Sequence, residues 1–269
     1  LTGLGGGVDG LAVVGAATKT YIDDVFSTYL YDGDGNSSHP ITNNIDLSGE
    51  GGMVWIKRRD GTYDNWLMDS ARGGTKMISS NSTAVEATNN AITSFNSDGF
   101  TLGDEGQTNA GGTNMSSWTY RKAKGFFDVV QYTGNGSSGH EISHNLGSIP
   151  GCIMVKRTDT AGFPWRVYHR GVAWEDPQDY GMRLESTDAR ENESGYWNDT
   201  APTSSVFTLG SHMSVNVNGG NFIAYVFAGG ESSAATATSV YTESSGYLGL
   251  AQSTDFNLGT SDFTIETWA

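Results

Sequence analysis

Apolar residues along this chain fall into short runs, such as Met53-Val-Trp-Ile56, Cys152-Ile-Met-Val155 and Phe222-Ile-Ala-Tyr-Val-Phe227. Clusters of Gly, Asn, Asp, Ser and Thr separate them. Runs of this length bounded by turn residues predict strands, and their number predicts a turn-rich, all-β protein. Expected strands are Ser27–Tyr31, Met53–Arg58 (largely buried), Tyr63–Asp69, Phe100–Leu102 and Ser117–Arg121. A second set follows at Phe127–Tyr132, Cys152–Arg157, Trp165–Tyr168, Gly181–Leu184, Val206–Leu209 and Phe222–Phe227. Helical spacing is best at Val14, Ala17, Tyr21, Ile22 and Val25, which predicts a short helix from Leu11 to about Phe26. Such a helix is too short to stand alone and needs partners, copies of itself in an oligomer among them. Strands do not alternate with helices, which argues against an α/β fold.

The two strand sets echo each other. Tyr31-Asp-Gly-Asp-Gly-Asn-Ser-Ser-His39 returns as Tyr132-Thr-Gly-Asn-Gly-Ser-Ser-Gly-His140, and Val54-Trp-Ile-Lys57-Arg58 as Ile153-Met-Val-Lys156-Arg157. Asp60 through Trp66 matches Asp159 through Trp165, Arg72-Gly73 matches Arg170-Gly171, and Phe100-Thr-Leu-Gly103 matches Phe207-Thr-Leu-Gly210. Trp118 through Ala123 matches Ile223 through Ala228, so the offset moves from 101 (Tyr31 to Tyr132) to 99 at the lysines and 105 at the end. A period this long is too large for a solenoid repeat and implies a duplicated domain. The expected architecture is two tandem antiparallel β-sandwich domains, 27–124 and 125–229. A Gly-rich linker and short helix (1–26) precede them, and a linker with the start of an incomplete third β module (230–269) follows. The chain opens Leu1-Thr-Gly without methionine and stops within a strand-like segment, so a piece of a longer protein is expected.

Composition narrows the function classes. A net charge of −15 argues against nucleic-acid binding, which needs a basic footprint. No apolar run approaches the roughly 20 residues of a membrane span. Cys152 is the single cysteine, which excludes an internal disulfide, and it sits in a strand as a small hydrophobe.

Three stretches carry resemblances. Ala16-Ala-Thr-Lys-Thr-Tyr-Ile-Asp23 resembles a segment that recurs in tailed-phage tail fibres, where it opens a helical or coiled section. Asp24-Val-Phe-Ser-Thr-Tyr-Leu-Tyr31, Gly51-Gly-Met-Val-Trp-Ile-Lys57 and Ser97-Asp-Gly-Phe-Thr-Leu-Gly103 resemble a tandem β domain of marine phage tail and virion proteins, cyanophages included. Asp255-Phe-Asn-Leu-Gly-Thr-Ser-Asp-Phe-Thr-Ile-Glu266 is similar to the first strands of laminin-G/concanavalin-like lectin domains. These resemblances imply a non-enzymatic virion protein of the phage tail, a tail fibre or tail-associated adhesion protein. The implied partners are its own copies in a homotrimer, other tail or virion proteins and a host cell-surface glycan. A capsid-decoration or baseplate protein and a polysaccharide depolymerase are the alternatives.

The residues themselves offer few sites. Asp32, Asp34 and Asn36 alternate like the start of a calcium loop, but Ser37 and Asn43 stand where such a loop needs Gly and a bidentate Glu. The second copy keeps the glycines and loses the carboxylates, so a structural turn is expected first and a calcium ion at these three residues second. His39 and His140 occupy matching positions and are expected to cap or hydrogen-bond. Acid clusters at Glu175, Asp176 and Asp179 and at Glu185, Asp188, Glu191 and Glu193 have no counterpart in the first copy and are expected to be solvated loops. Trp66 and Trp165 match and are expected in cores. Trp174 and Trp197 lie in loops unique to the second copy and are the glycan-contact candidates, because exposed aromatics stack on sugar rings. Lys57-Arg58 and Lys156-Arg157 end their strands, where a cation is expected to be wet.

Overall fold

In the computed structural model, which describes residues 20–230, the chain is all-β, with antiparallel pairing throughout its sheets. The first unit comprises β1 (Phe26–Asp32), β2 (His39–Thr42), β3 (Gly52–Arg58), β4 (Asn65–Asp69), β5 (Gly73–Ser79), β6 (Ala87–Thr88), β7 (Ile92–Asn96), β8 (Gly99–Leu102) and β9 (Asn114–Arg121). It forms a six-stranded sheet, β1-β9-β3-β4-β5-β6, facing a three-stranded sheet, β2-β8-β7. The second unit comprises β10 (Phe127–Thr133), β11 (His140–Ser143), β12 (Pro150–Arg157), β13 (Arg166–His169), β14 (Tyr180–Gly181), β15 (Glu191–Asn192), β16 (Val206–Leu209) and β17 (Asn221–Ala228). Its main sheet, β10-β17-β12-β13, repeats β1-β9-β3-β4, and the pair β11-β16 repeats β2-β8. In each unit the first strand pairs with the last, Phe26 opposite Tyr120 and Phe127 opposite Phe227.

Side-chain alternation distributes three cores over these layers. Val54 and Ile56 of β3 enter the first unit's core with Ile41, Ile92, Phe100 and Leu102 from the facing sheet. Phe222, Ala224 and Val226 of β17 enter the second unit's core with Ile142, Phe207 and Leu209. The opposite faces of the two main sheets then meet. Met53, Leu67 and Ile78 pack against Phe127, Val129, Met154, Trp165, Val167, Ile223 and Tyr225 in a third core shared by both units. The layers run small sheet, main sheet, main sheet, small sheet. Strands β3, β12 and β17 are therefore buried on both faces, and that is why they are unbroken apolar runs in the sequence.

The register corrects two of the sequence matches. The second halves of the units keep one offset of 107, from Phe100 and Phe207 through Asn109 and Asn216 into the last strands. Trp118 thus corresponds to Tyr225, not to Ile223, because both stand opposite equivalent residues (Trp55 and Met154). Trp66 corresponds to Arg166, opposite Ile56 and Val155 respectively. Trp165 takes the place of Asn65 and turns to the shared core, since a slip of one residue moves a side chain to the other face.

Of the helix expected over Leu11 to Phe26, residues 11–19 lie outside the described residues. Ile22–Val25 makes one helical turn and Phe26 already belongs to β1. The incomplete third module at 231–269 also lies outside the described residues. Among the described residues no helix is long and apolar enough to cross a membrane.

Lys156 departs from its expected wet position. It is fully buried (0% exposed), and its Nζ donates to the Phe163 carbonyl at 2.6 Å. Burial lowers its pKa from 10.5 to about 8, with Glu185 acting in the opposite sense. A depressed lysine favours folding most above pH 10.5, where neither state is charged. That contribution is lost as pH falls from 10.5 to about 8 and stays lost below. The penalty is on the order of 3 kcal/mol at neutral pH. Lys156→Met removes the titration, so its stability relative to wild type should fall steadily as urea midpoints are compared from pH 8 to pH 10.5. A difference that does not change with pH would show that Lys156 titrates normally.

Candidate functional site

The turn after β1 is built around a buried asparagine in each unit. Asn109 (0% exposed) accepts from the Asp34 backbone N–H at 3.0 Å and bonds His39 Nδ1 at 2.8 Å through its Oδ1. Its Nδ2 donates to Asp34 Oδ1, the Asn36 carbonyl and the Gly103 carbonyl. Asn216 does the same in the second unit, with Asn135, His140, Ser137 and Gly210. An asparagine suits this place because it offers donors and acceptor together, so one buried side chain satisfies three segments. Neither asparagine belongs to an apolar run or a ligand-like cluster, and only the shared offset of 107 marks the two as equivalent.

The candidate cation residues belong to this turn. Asp34 accepts from the Asn36 backbone N–H (2.8 Å) and its Nδ2 (2.9 Å), and these bonds, the backbone one foremost, hold its carboxyl below the ordinary range. Asp32 ends β1, paired with Asn114. The carboxylate oxygens of Asp34 are thus engaged by amide groups of the turn. Among the described residues no group of three or more His, Cys, Asp or Glu side chains is placed to hold a metal ion.

The two glycan candidates part company. Trp197 is 2% exposed, packs edge-on against Tyr168 at 6.0 Å and donates from Nε1 to the Tyr180 carbonyl. Its ring has no open face for a sugar, which corrects that expectation: the helical turn Ser194–Trp197 folds it into the second unit's core. Trp174, by contrast, is 98% exposed.

Of the two acid clusters, Glu175 and Asp176 are exposed, whereas Glu185, Asp188, Glu191 and Glu193 are tied into the fold. Glu191 receives Arg166 Nη1 at 2.8 Å and the Tyr196 hydroxyl on one oxygen, and Arg183 at 2.7 Å on the other. The Tyr196 bond, with both arginines, keeps the Glu191 carboxyl below its ordinary range. Arg166 is itself buried, places its guanidinium carbon 4.1 Å from the Tyr196 ring centroid, and donates from Nε to the Ser214 hydroxyl. Glu185 accepts from the Trp165 backbone N–H, Asp188 pairs with Arg183, and Glu193 caps the turn at Gly195. An ionised, triply engaged Glu191 is an anchor for the loop, with no oxygen left to move a proton. The Cys152 thiol is pushed up to about 11 by burial and is therefore a neutral, weak nucleophile at physiological pH.

A family model described as a domain of unknown function, DUF7483, matches residues 22–245. The chain belongs to this family. No curated protein and no solved structure matches it. The DUF7483 span takes in both units, from the helical turn at Ile22 through β17, so the family covers the fused pair and the core between them.

Proposed function

We propose that this DUF7483 chain is part of a virion structural protein of a tailed phage, a tail fibre or tail-associated adhesion protein acting in assembly and host-surface attachment. The observation that carries this reading is the fusion of two copies of one β unit through a shared core. Their divergence is concentrated between β13 and β16, where Trp174 stands 98% exposed. A duplicated unit locked in this way suits a spacer that must transmit force without bending, and variable loops on such a scaffold suit contact with a variable surface. The resemblance of residues 16–31 and of the β3 and β8 segments to phage tail and virion proteins supports the same reading. In this reading three copies assemble, and Trp174 contributes to contact with a host-surface glycan through weak sites made strong by multivalency.

Gold-labelled antibody against residues 20–230, applied to intact particles, tests the proposal. Label at the distal tail, with three copies per fibre, is the expected result. Label over the capsid lattice would make the chain a decoration protein and overturn it, as would absence from particles.

A further inference from the structure

Beside the shared core, the face of the first unit's main sheet that turns to the second unit carries a half-open groove of about 460 Å3 lined by Trp55, Lys57, Asn65, Trp118 and Tyr120. Strand register puts these side chains together. Trp118 stands opposite Trp55, Lys57 opposite Asn65, and Tyr120 opposite Met53, all on the face away from the unit's own core. The two tryptophans meet edge to face, with centroids 6.2 Å apart and planes at 63°. One lining atom lacks any partner: Asn65 Oδ1 is buried and accepts no hydrogen bond. Buried acceptors are nearly always paired, so an orphan in a cleft marks a place where a donor belongs.

The second unit shows what this face becomes when it is packed. The residues equivalent to Trp55, Lys57, Asn65 and Trp118 are Met154, Lys156, Trp165 and Tyr225, none more than 5% exposed. There, the other unit covers them. In the first unit the corresponding row is aromatic and half-buried: Trp55 and Tyr120 touch the margin of the shared core, and the groove opens beside them. Leu30 of β1, 63% exposed, stands beyond it at the sheet edge.

We propose that this groove is a saccharide-binding site. A pyranose ring presents C–H groups that pack on aromatic faces, and hydroxyls that both donate and accept. Trp55, Trp118 and Tyr120 supply the apolar walls, Asn65 Oδ1 accepts a hydrogen bond from a hydroxyl, and the Lys57 ammonium offers a donor. The volume lies within the roughly 300–1,000 Å3 of small-molecule sites. No carboxylate lines the groove, in a chain of net charge −15, so neutral and anionic sugars are both admitted. The inference rests on the host-attachment reading and gives it a ligand class and an address separate from Trp174.

The test applies the full chain to an array of oligosaccharides cut from bacterial lipopolysaccharides and exopolysaccharides, with tryptophan fluorescence titration of each sugar that binds. Asn65→Leu keeps the volume and removes the orphan oxygen, so its melting temperature should hold or rise while affinity falls about tenfold, the worth of one hydrogen bond. Trp118→Ala should abolish binding. Loss of binding in Trp174→Ala with full affinity in Asn65→Leu would overturn the groove and leave attachment standing. Binding to no sugar would also overturn the groove, whereas the attachment reading fails separately, by label away from the tail.

Discussion

Replacing Trp165 by alanine is expected to lower the unfolding free energy by about 3–5 kcal/mol, the range for a large aromatic removed from a packed core. Trp165 is fully buried, stacks on Tyr225 at 6.1 Å and donates from Nε1 to the Ser79 carbonyl of the other unit at 2.9 Å. Alanine leaves a cavity where the main sheets meet and an unpaired carbonyl across it. Because the lost contacts join the units, the thermal transition should also broaden, with a calorimetric enthalpy exceeding the van't Hoff value. Trp66→Ala provides the contrast. Its ring packs against the first unit's own core, so its loss should destabilise without uncoupling the units. A loss below about 1 kcal/mol for Trp165→Ala would show that the shared core does not hold the units together.

The same pair of tryptophans shows how far the sequence carried. Turn-bounded apolar runs identified the main strands, and the echo between halves identified a repeated strand order, because both depend on local chemistry. Register did not follow. Matching Trp118 to Ile223 rather than Tyr225 is a slip of two, which leaves every side chain on its proper face and so leaves no mark in the alternation. Matching Trp66 to Trp165 hides a one-residue insertion before β13, visible only through the partner strand. The third core was legible in part. Phe222-Ile-Ala-Tyr-Val-Phe227 lacks the polar alternation of a strand with one wet face, but such a run does not say what covers it. Short edge strands such as β6 and β14, two residues each, have no periodicity to detect.

The sites followed a similar division. Trp174 and Trp197 share loop composition and differ wholly in exposure, because Trp197 lies in a helical turn whose inward face the sequence does not announce. The turn at Asp34 was expected as structure, but its centre, Asn109, lies about 75 residues away and enters only through the fold. The groove at Trp55 and Trp118 escaped for the converse reason. Its residues alternate as core residues do, and only the uneven cover of the two main sheets leaves them open.

Asp69→Ala is expected to cost about 3–5 kcal/mol, because it takes the fully buried carboxylate from a buried cation and leaves Arg72 only the more exposed Glu86. The Arg72 and Asp69 side chains are 2% and 0% exposed, with Arg72 Nη2 2.6 Å from Asp69 Oδ2. Tyr225 of the second unit closes the cluster: its hydroxyl donates to Asp69 Oδ2 at 2.8 Å and receives Arg72 Nη2 at 3.0 Å. Burial holds that hydroxyl well above its ordinary pKa, so it remains a neutral donor. Arg170, matched to Arg72 in sequence, is exposed, so the cluster belongs to the interface and not to the repeat. Urea denaturation should show the loss undiminished in high salt, since screening acts weakly on buried pairs. Arg58→Ala supplies the surface counterpart. It breaks the Arg58–Asp60 pair, which the second unit repeats as Arg157–Asp159, and the urea midpoint is expected to move far less than in Asp69→Ala, because the pair is solvated and screened. The double variant Asp69→Leu with Arg72→Met should recover much of the Asp69→Ala loss, because apolar replacement of both partners leaves no charge unpaired. Failure of the double variant to recover would mean that Tyr225 and Glu86, which also bond Arg72, carry the energy instead.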